Sequence, residues 1–112
     1  LATEGTLMTG VYNKCFDKNF KIIVPSQLSQ TKHVNKAIRY VKMGKIKDAE
    51  KAIKPAIKYL IKMKCKKIIL GCTELPIAIF AFKSFKKIRL SKIFLDPNLM
   101  LANVSMKKYK AR

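Results

Sequence analysis

Glycine and proline are scarce in this sequence, four of each in 112 residues. With apolar residues at 49%, that scarcity argues for a folded globular domain and against disorder. The length suits one domain with a modest core and is too short for two of ordinary size. No apolar run reaches the length of a membrane span, and the opening residues lack the basic-then-apolar design of a signal peptide. A cytoplasmic location with no membrane partner is expected. Cysteine is limited to three, an odd number in a chain with no sign of export, so reduced thiols are expected instead of a disulfide framework. His33 is the only histidine, on the polar side of its expected helix and without a Cys or carboxylate at ligand spacing. No metal site is expected.

Arginine is also scarce, three residues against 22 lysines, within a net charge of +19. So basic a chain points first to a nucleic-acid partner. Against that, phosphate and base recognition lean on arginine forks, and no interleaving of aromatic and basic residues offers a stacking platform. The lysines read as a solvated surface whose association with nucleic acid is weak and salt-sensitive, with no specific binding expected.

Four short apolar or β-branched runs alternate with helical periodicity, the pattern of an α/β domain with a largely parallel sheet. The expected strands are Leu1–Thr3, Lys21–Val24, Lys67–Leu70 and Lys92–Leu95. Between them, Thr6–Phe16 reads as a short helix. Gln30–Met43 reads as another, with Val34, Ala37, Ile38 and Val41 at helical spacing and Gly44 at its end. Over Ile46–Met63, Lys47, Lys51, Lys54, Lys58 and Lys62 form a polar stripe, opposite Ala49, Ile53, Ala56, Ile57 and Leu60. Pro55 predicts a kink or short break there. A helix opens at Thr73 or Glu74, and Asn98–Lys110 closes the chain.

In open α/β sheets, ligands collect beyond the carboxyl ends of the strands. Thr3, Gly5 and Thr6 follow the first expected strand, and Gly71, Cys72, Thr73 and Glu74 follow the third. A cysteine at a helix start meets free backbone N–H groups and the positive end of the helix dipole, both of which favour thiolate. Cys72 is therefore a candidate base or nucleophile, expected to alkylate faster than Cys15 or Cys65. The competing reading is a small buried hydrophobe, the ordinary role of cysteine in such folds. Cys15 and Cys65 lack a strand-end setting and read as structural.

Four segments, in order, carry a resemblance. Ile68–Pro76, I-I-L-G-C-T-E-L-P, closely resembles the second cysteine motif of the aspartate/glutamate racemase superfamily. Leu1–Thr6, L-A-T-E-G-T, with Thr9 and Tyr12, is similar to the segment that begins the second lobe of those enzymes. Ile38–Gly44, I-R-Y-V-K-M-G, resembles a helix end bearing a substrate-binding lysine, matched here by Lys42; Leu95–Ala102, L-D-P-N-L-M-L-A, resembles the final strand-to-helix turn.

The resemblance implies one lobe of a two-lobe, pseudo-symmetric fold, with a four-stranded, mostly parallel sheet flanked by helices. Residues 1–96 would form the second lobe. Residues 97–112 would form a closing helix that packs back on a first lobe, and a homo-oligomer is implied at full length. The implied chemistry is two-base racemisation of a small acidic amino acid without pyridoxal phosphate or any other cofactor, one cysteine contributed by each lobe. Cys72 would be one base; Lys42, Thr73, Glu74, Thr3 and Thr6 would bind substrate. Glu74 favours the aspartate or broad-specificity branch, since glutamate racemases typically carry histidine there; hydantoin racemases and maleate isomerases share the scaffold. Glu74 reads equally well as an acid complementing the helix dipole. The first lobe's P-C-N-T-like motif does not occur in the sequence, and neither Cys15 nor Cys65 resembles it. Three readings stay open: half of an enzyme inactive by itself, a basic binding module on the same fold, and an inactive remnant.

Overall fold

The computed structural model describes residues 1–80 and 90–111. Positions 81–89 and 112, which fall within the expected lobe and closing helix, lie outside the described residues. Thr3 converts the opening extended run into a helix at once. Its side chain accepts from the Thr6 amide at 3.3 Å, capping α1 (Glu4–Thr9). Gly10 then adopts a left-handed conformation (φ 62°), ending α1 and starting α2 (Val11–Cys15). The single helix expected over Thr6–Phe16 is thus two short ones, because a left-handed residue cannot continue a right-handed helix.

The run Lys21–Val24, expected as a strand, makes no backbone ladder bond among the described residues. Its β-branched residues favour extension, but a strand also needs a neighbouring edge, and the opening run turns into α1 after only Leu1 and Ala2. Ser26 caps α3 (Gln27–Ser29), its Oγ accepting from the Ser29 amide at 3.2 Å. A π-helical turn, Gln30–Asn35, leads into α4 (Lys36–Lys42). The expected helix at Gln30 therefore starts earlier and is first wound wide. The wide turn places Gln30 and Asn35, five apart, in contact: Gln30 Nε2 donates to Asn35 Oδ1 at 2.9 Å and to the Ala2 carbonyl at 2.8 Å.

Two helices end in the same hydrogen-bond pattern with different residues. After α4, Gly44 (φ 72°) donates to the Val41 carbonyl at 2.9 Å and Lys45 to that of Tyr40 at 2.8 Å. After α5 (Ile46–Lys62), Lys64 (φ 57°) donates to Ile61 at 2.9 Å and Cys65 to Leu60 at 3.1 Å. Helix α5 runs through Pro55 without the expected break, since proline here forfeits one hydrogen bond while Ala56 and Ile57 beside it stay buried. The expected amphipathic division is observed. Ala49, Ile53, Ala56, Ile57 and Leu60 are buried, and Lys47, Lys51, Lys58 and Lys62 are exposed; Lys54 of the expected stripe is instead half-buried, its Nζ 3.0 Å from Oε1 of the buried Glu50.

That apolar side of α5 packs with Val34, Ala37 and Ile38, with Leu75 and Ile79 of α6 (Glu74–Phe80), and with Ile68, Leu70 and Phe94 to form the core. The sheet is smaller than expected. Strands β1 (Ile68–Ile69) and β2 (Phe94–Leu95) pair in parallel, with Ile68 opposite Phe94, and Leu70 donates to the Leu95 carbonyl at 2.8 Å. On the other side of β1, the Leu1 nitrogen donates to Ile69 O at 2.8 Å and Gly71 N to Leu1 O at 2.7 Å, continuing a parallel ladder pattern. The expected four-stranded sheet is thus two strands flanked by Leu1. Lys92 and Ile93, expected as strand, belong to α7 (Leu90–Ile93). The chain closes with α8 (Pro97–Lys110), no residue of which is buried. Among the described residues, no helix is long and apolar enough to cross a membrane.

A non-glycine residue in the left-handed region carries a cost of about 1 kcal/mol, which glycine avoids while adding unfolded-state entropy. Lys64→Gly is therefore expected to raise the thermal midpoint by about 2–5 °C. Thermal unfolding followed by circular dichroism measures it; an unchanged or lower midpoint would show that Lys64 is held by contacts worth more than the strain.

Candidate active site

Strand β1 delivers its last residues into a crowded corner. A Cβ on Gly71 would lie 2.9 Å from Ala2 Cβ, 3.1 Å from Tyr12 Cε2 and 3.2 Å from the Leu1 carbonyl oxygen. Only glycine lets the opening segment and the β1 end approach so closely. Cys72 follows at the turn into α6, half-buried, with its sulfur accepting from the backbone N–H groups of Leu75 and Glu74. The donors expected of a helix start are thus in place.

Their effect is outweighed. Burial pushes the Cys72 thiol above its usual range, the two backbone N–H groups pull it down, and the Glu74 carboxylate pushes it up by its charge and by accepting the thiol hydrogen. Cys72 is thus held toward the thiol, contrary to the thiolate expected from its helix-start position. The difference arises chiefly because burial disfavours the charged thiolate, to which the carboxylate on the first residue of the helix adds its charge at the same sulfur.

Glu74 is the junction of the cluster. Burial works to raise its carboxyl; its own backbone N–H, the Thr73 hydroxyl, the Cys72 thiol and the Lys42 charge together bring it below the usual carboxylate range. Thr73 Oγ1 donates to Glu74 Oε2 at 3.0 Å, and Lys42 Nζ, reaching from the end of α4, lies 3.8 Å from Glu74 Oε1. The Lys42 side chain is 65% exposed, so this pair contributes little to stability and leaves the ammonium able to turn to an anion. Cys72, Thr73, Glu74 and Lys42 thus form one hydrogen-bonded and ion-paired group.

Thr3 and Thr6 are placed differently. Their hydroxyls lie 3.0 Å apart and serve the α1 cap. Among the described residues no hydrogen bond joins them to the Cys72 group; the link is the backbone, through Leu1 and Ala2 against Gly71. Tyr12, absent from the expected site residues, packs against Gly71, and burial and then the charges of Cys15 and Cys72 push its hydroxyl upward. Its place in the Thr9–Tyr12 spacing was the only signal in the sequence. A cavity of about 660 Å³ is lined by Thr6 and Tyr12 but by none of Cys72, Thr73, Glu74 and Lys42.

A nucleophilic side chain at a strand end, beside a carboxylate, a hydroxyl and an ammonium, suits proton transfer on a bound anion. The family model for Asp/Glu/hydantoin racemases matches residues 1–103. The chain belongs to that family. It is an isomerase family, and its racemases set the chemistry against which this cluster is read. No solved structure matches the chain. In this racemase-family chain the aspartate/glutamate-type motif around Cys72 lies in one cluster with Lys42, and the Thr3 and Thr6 segment abuts it through Gly71.

Two outcomes follow for the racemase-family cluster. Cys72 is expected to alkylate more slowly than the exposed Cys15 at pH 7, with a pH midpoint above the usual cysteine range. Glu74→Gln removes the carboxylate's charge while burial remains, lowers that midpoint and speeds Cys72 labelling roughly threefold to tenfold at pH 7. Site-resolved mass spectrometry of labelling against pH reads this, and an unchanged midpoint would remove Glu74 from the account. Gly71→Ala is expected to destabilise the fold by about 1–3 kcal/mol. Adding Ala2→Gly removes the closest clash and should restore part of the loss; chemical denaturation that shows no cost for Gly71→Ala would contradict the close packing.

Proposed function

We propose that the chain is a racemase lobe acting on aspartate or a related acidic amino acid, without a cofactor, in the cytoplasm. The observation that carries this reading is the Cys72 thiol held at the strand end in one group with Glu74, Thr73 and Lys42. Inverting a carbon centre without turning the substrate takes an acid and a base on opposite faces of Cα. Cys72, resting as a thiol, is the acid in one direction: a base on the facing side takes the Cα proton, and Cys72 delivers its own proton to the opposite face. In the reverse direction the resulting thiolate is the base.

Lys42 binds the substrate carboxylate and stabilises the charge that builds on it as Cα loses its proton. In the empty lobe Glu74 holds Lys42, so an incoming carboxylate competes with Glu74 for it. Thr73 and the backbone N–H groups at the start of α6 hold the same carboxylate, and Thr3 and Thr6 line the cleft. Glu74 also keeps Cys72 protonated. The facing base belongs to a first lobe with its own cysteine, and exposed α8 is the element that packs on that lobe, within a homo-oligomer at full length. The basic surface of α5 contributes only weak, salt-sensitive attraction to polyanions.

One lobe offers a thiol on a single side of Cα. The 112-residue chain by itself is therefore expected to show no appreciable racemisation of L-aspartate by chiral chromatography. Fused to or co-expressed with a first lobe carrying a cysteine, it should racemise, and Cys72→Ser should abolish that activity, because a serine hydroxyl is far too weak an acid at neutral pH. Robust racemisation by the single lobe, or full activity in the reconstituted Cys72→Ser enzyme, would overturn the assignment.

A further inference from the structure

The carboxylate of Glu74 is only partly engaged. A carboxylate offers about four acceptor sites. The Thr73 hydroxyl takes one on Oε2 at 3.0 Å, and the backbone N–H of Glu74 itself and the Cys72 thiol also bond to the group. Oε1 faces Lys42 Nζ at 3.8 Å, close enough for charge attraction and too far for a hydrogen bond. The two partners differ in freedom. The Glu74 side chain is 20% exposed and tied by those bonds, whereas that of Lys42 is 65% exposed. Glu74 is the fixed charge of the pair and Lys42 the one able to turn away.

A simple anion fits such a pair badly. By drawing Lys42 to itself it would strip Glu74 of its countercharge and set two negative charges side by side. A ligand that carries an ammonium next to its carboxylate replaces the charge it removes. The charge-assisted hydrogen bond that it makes to Oε1 is stronger than the contact it displaces.

We propose that Lys42 and Glu74 together receive the zwitterion of an α-amino acid, Lys42 taking the α-carboxylate and Glu74 Oε1 the α-ammonium. This rests on the racemase reading and narrows its substrates to amino acids with a free amino group; N-acylated amino acids and plain dicarboxylates are refused. The same contacts position the reaction. Nitrogen and the carboxylate carbon are two of the three heavy-atom substituents of Cα, and both stay held while the proton is exchanged. Like charge keeps the side-chain carboxylate of an acidic substrate away from Glu74.

The net charge of +19 makes the test selective. General attraction to so basic a chain ranks a dianion above a monoanion, hence succinate above aspartate. A zwitterion receptor reverses that order. Backbone amide shifts of the 112-residue chain, followed by NMR at neutral pH and constant ionic strength, are titrated with L-aspartate, succinate and N-acetyl-L-aspartate. L-Aspartate is expected to shift Lys42, Thr73 and Glu74 with a dissociation constant at least about tenfold below those of the other two. Glu74→Gln removes the partner of the ammonium and the repulsion of a second carboxylate together, so aspartate should weaken, succinate tighten and the ratio fall to about one or below. The same spectra report whether the variant is folded, and the ranking in the unaltered chain needs no variant. Succinate binding as tightly as aspartate, a preference for aspartate that survives Glu74→Gln, or no shift at these residues with any of the three would overturn the proposal. Binding is read without turnover. A lost ranking beside racemisation by the reconstituted enzyme sinks the zwitterion receptor alone, and the ranking without racemisation sinks the two-base chemistry alone.

Discussion

Gly71 has no side chain, and both the fold and the candidate site depend on the space this leaves. Leu1 and Ala2 lie against the end of β1 with their ladder bonds intact because no Cβ separates them from it. Thr3 can then cap α1, the Ala2 carbonyl receives the buried Gln30 amide, and the π-helical turn is anchored to the sheet edge. One residue further along, the chain turns into α6 with Cys72 at the bend. A methyl group at position 71 would act on all of these together.

The chemistry at Cys72 is decided by a competition between two features of the same helix start. Free backbone N–H groups favour thiolate, and a carboxylate on the first helical residue favours thiol. Burial adds to the second and settles the direction. In the proposed racemisation this makes Cys72 the proton donor, and the same carboxylate pairs with the Lys42 ammonium.

The unsatisfied part of the molecule is its apolar surface. Helix α8 and the sheet face beside Ile69 are two apolar surfaces without covering layers among the described residues.

Much of the helical layer was legible in the sequence because its signals act over a few residues. The spacing of Ala49, Ile53, Ala56, Ile57 and Leu60 marked the buried side of α5, Gly44 a helix end, and Cys72 a strand-to-helix junction furnished with N–H donors. What the tertiary structure decided lies in relations between distant residues. Lys21–Val24 has the composition of a strand but no neighbouring edge to pair with. Gly10 divides a helix whose pattern reads as continuous by taking a left-handed conformation, and Pro55 fails to divide another, whose neighbouring Ala56 and Ile57 are buried in the core. The protonation of Cys72 follows chiefly from its burial, which spacing along the chain does not encode. Local hydrogen bonds and periodicity are properties of a sequence; pairing, burial and charge proximity exist only once separated segments meet.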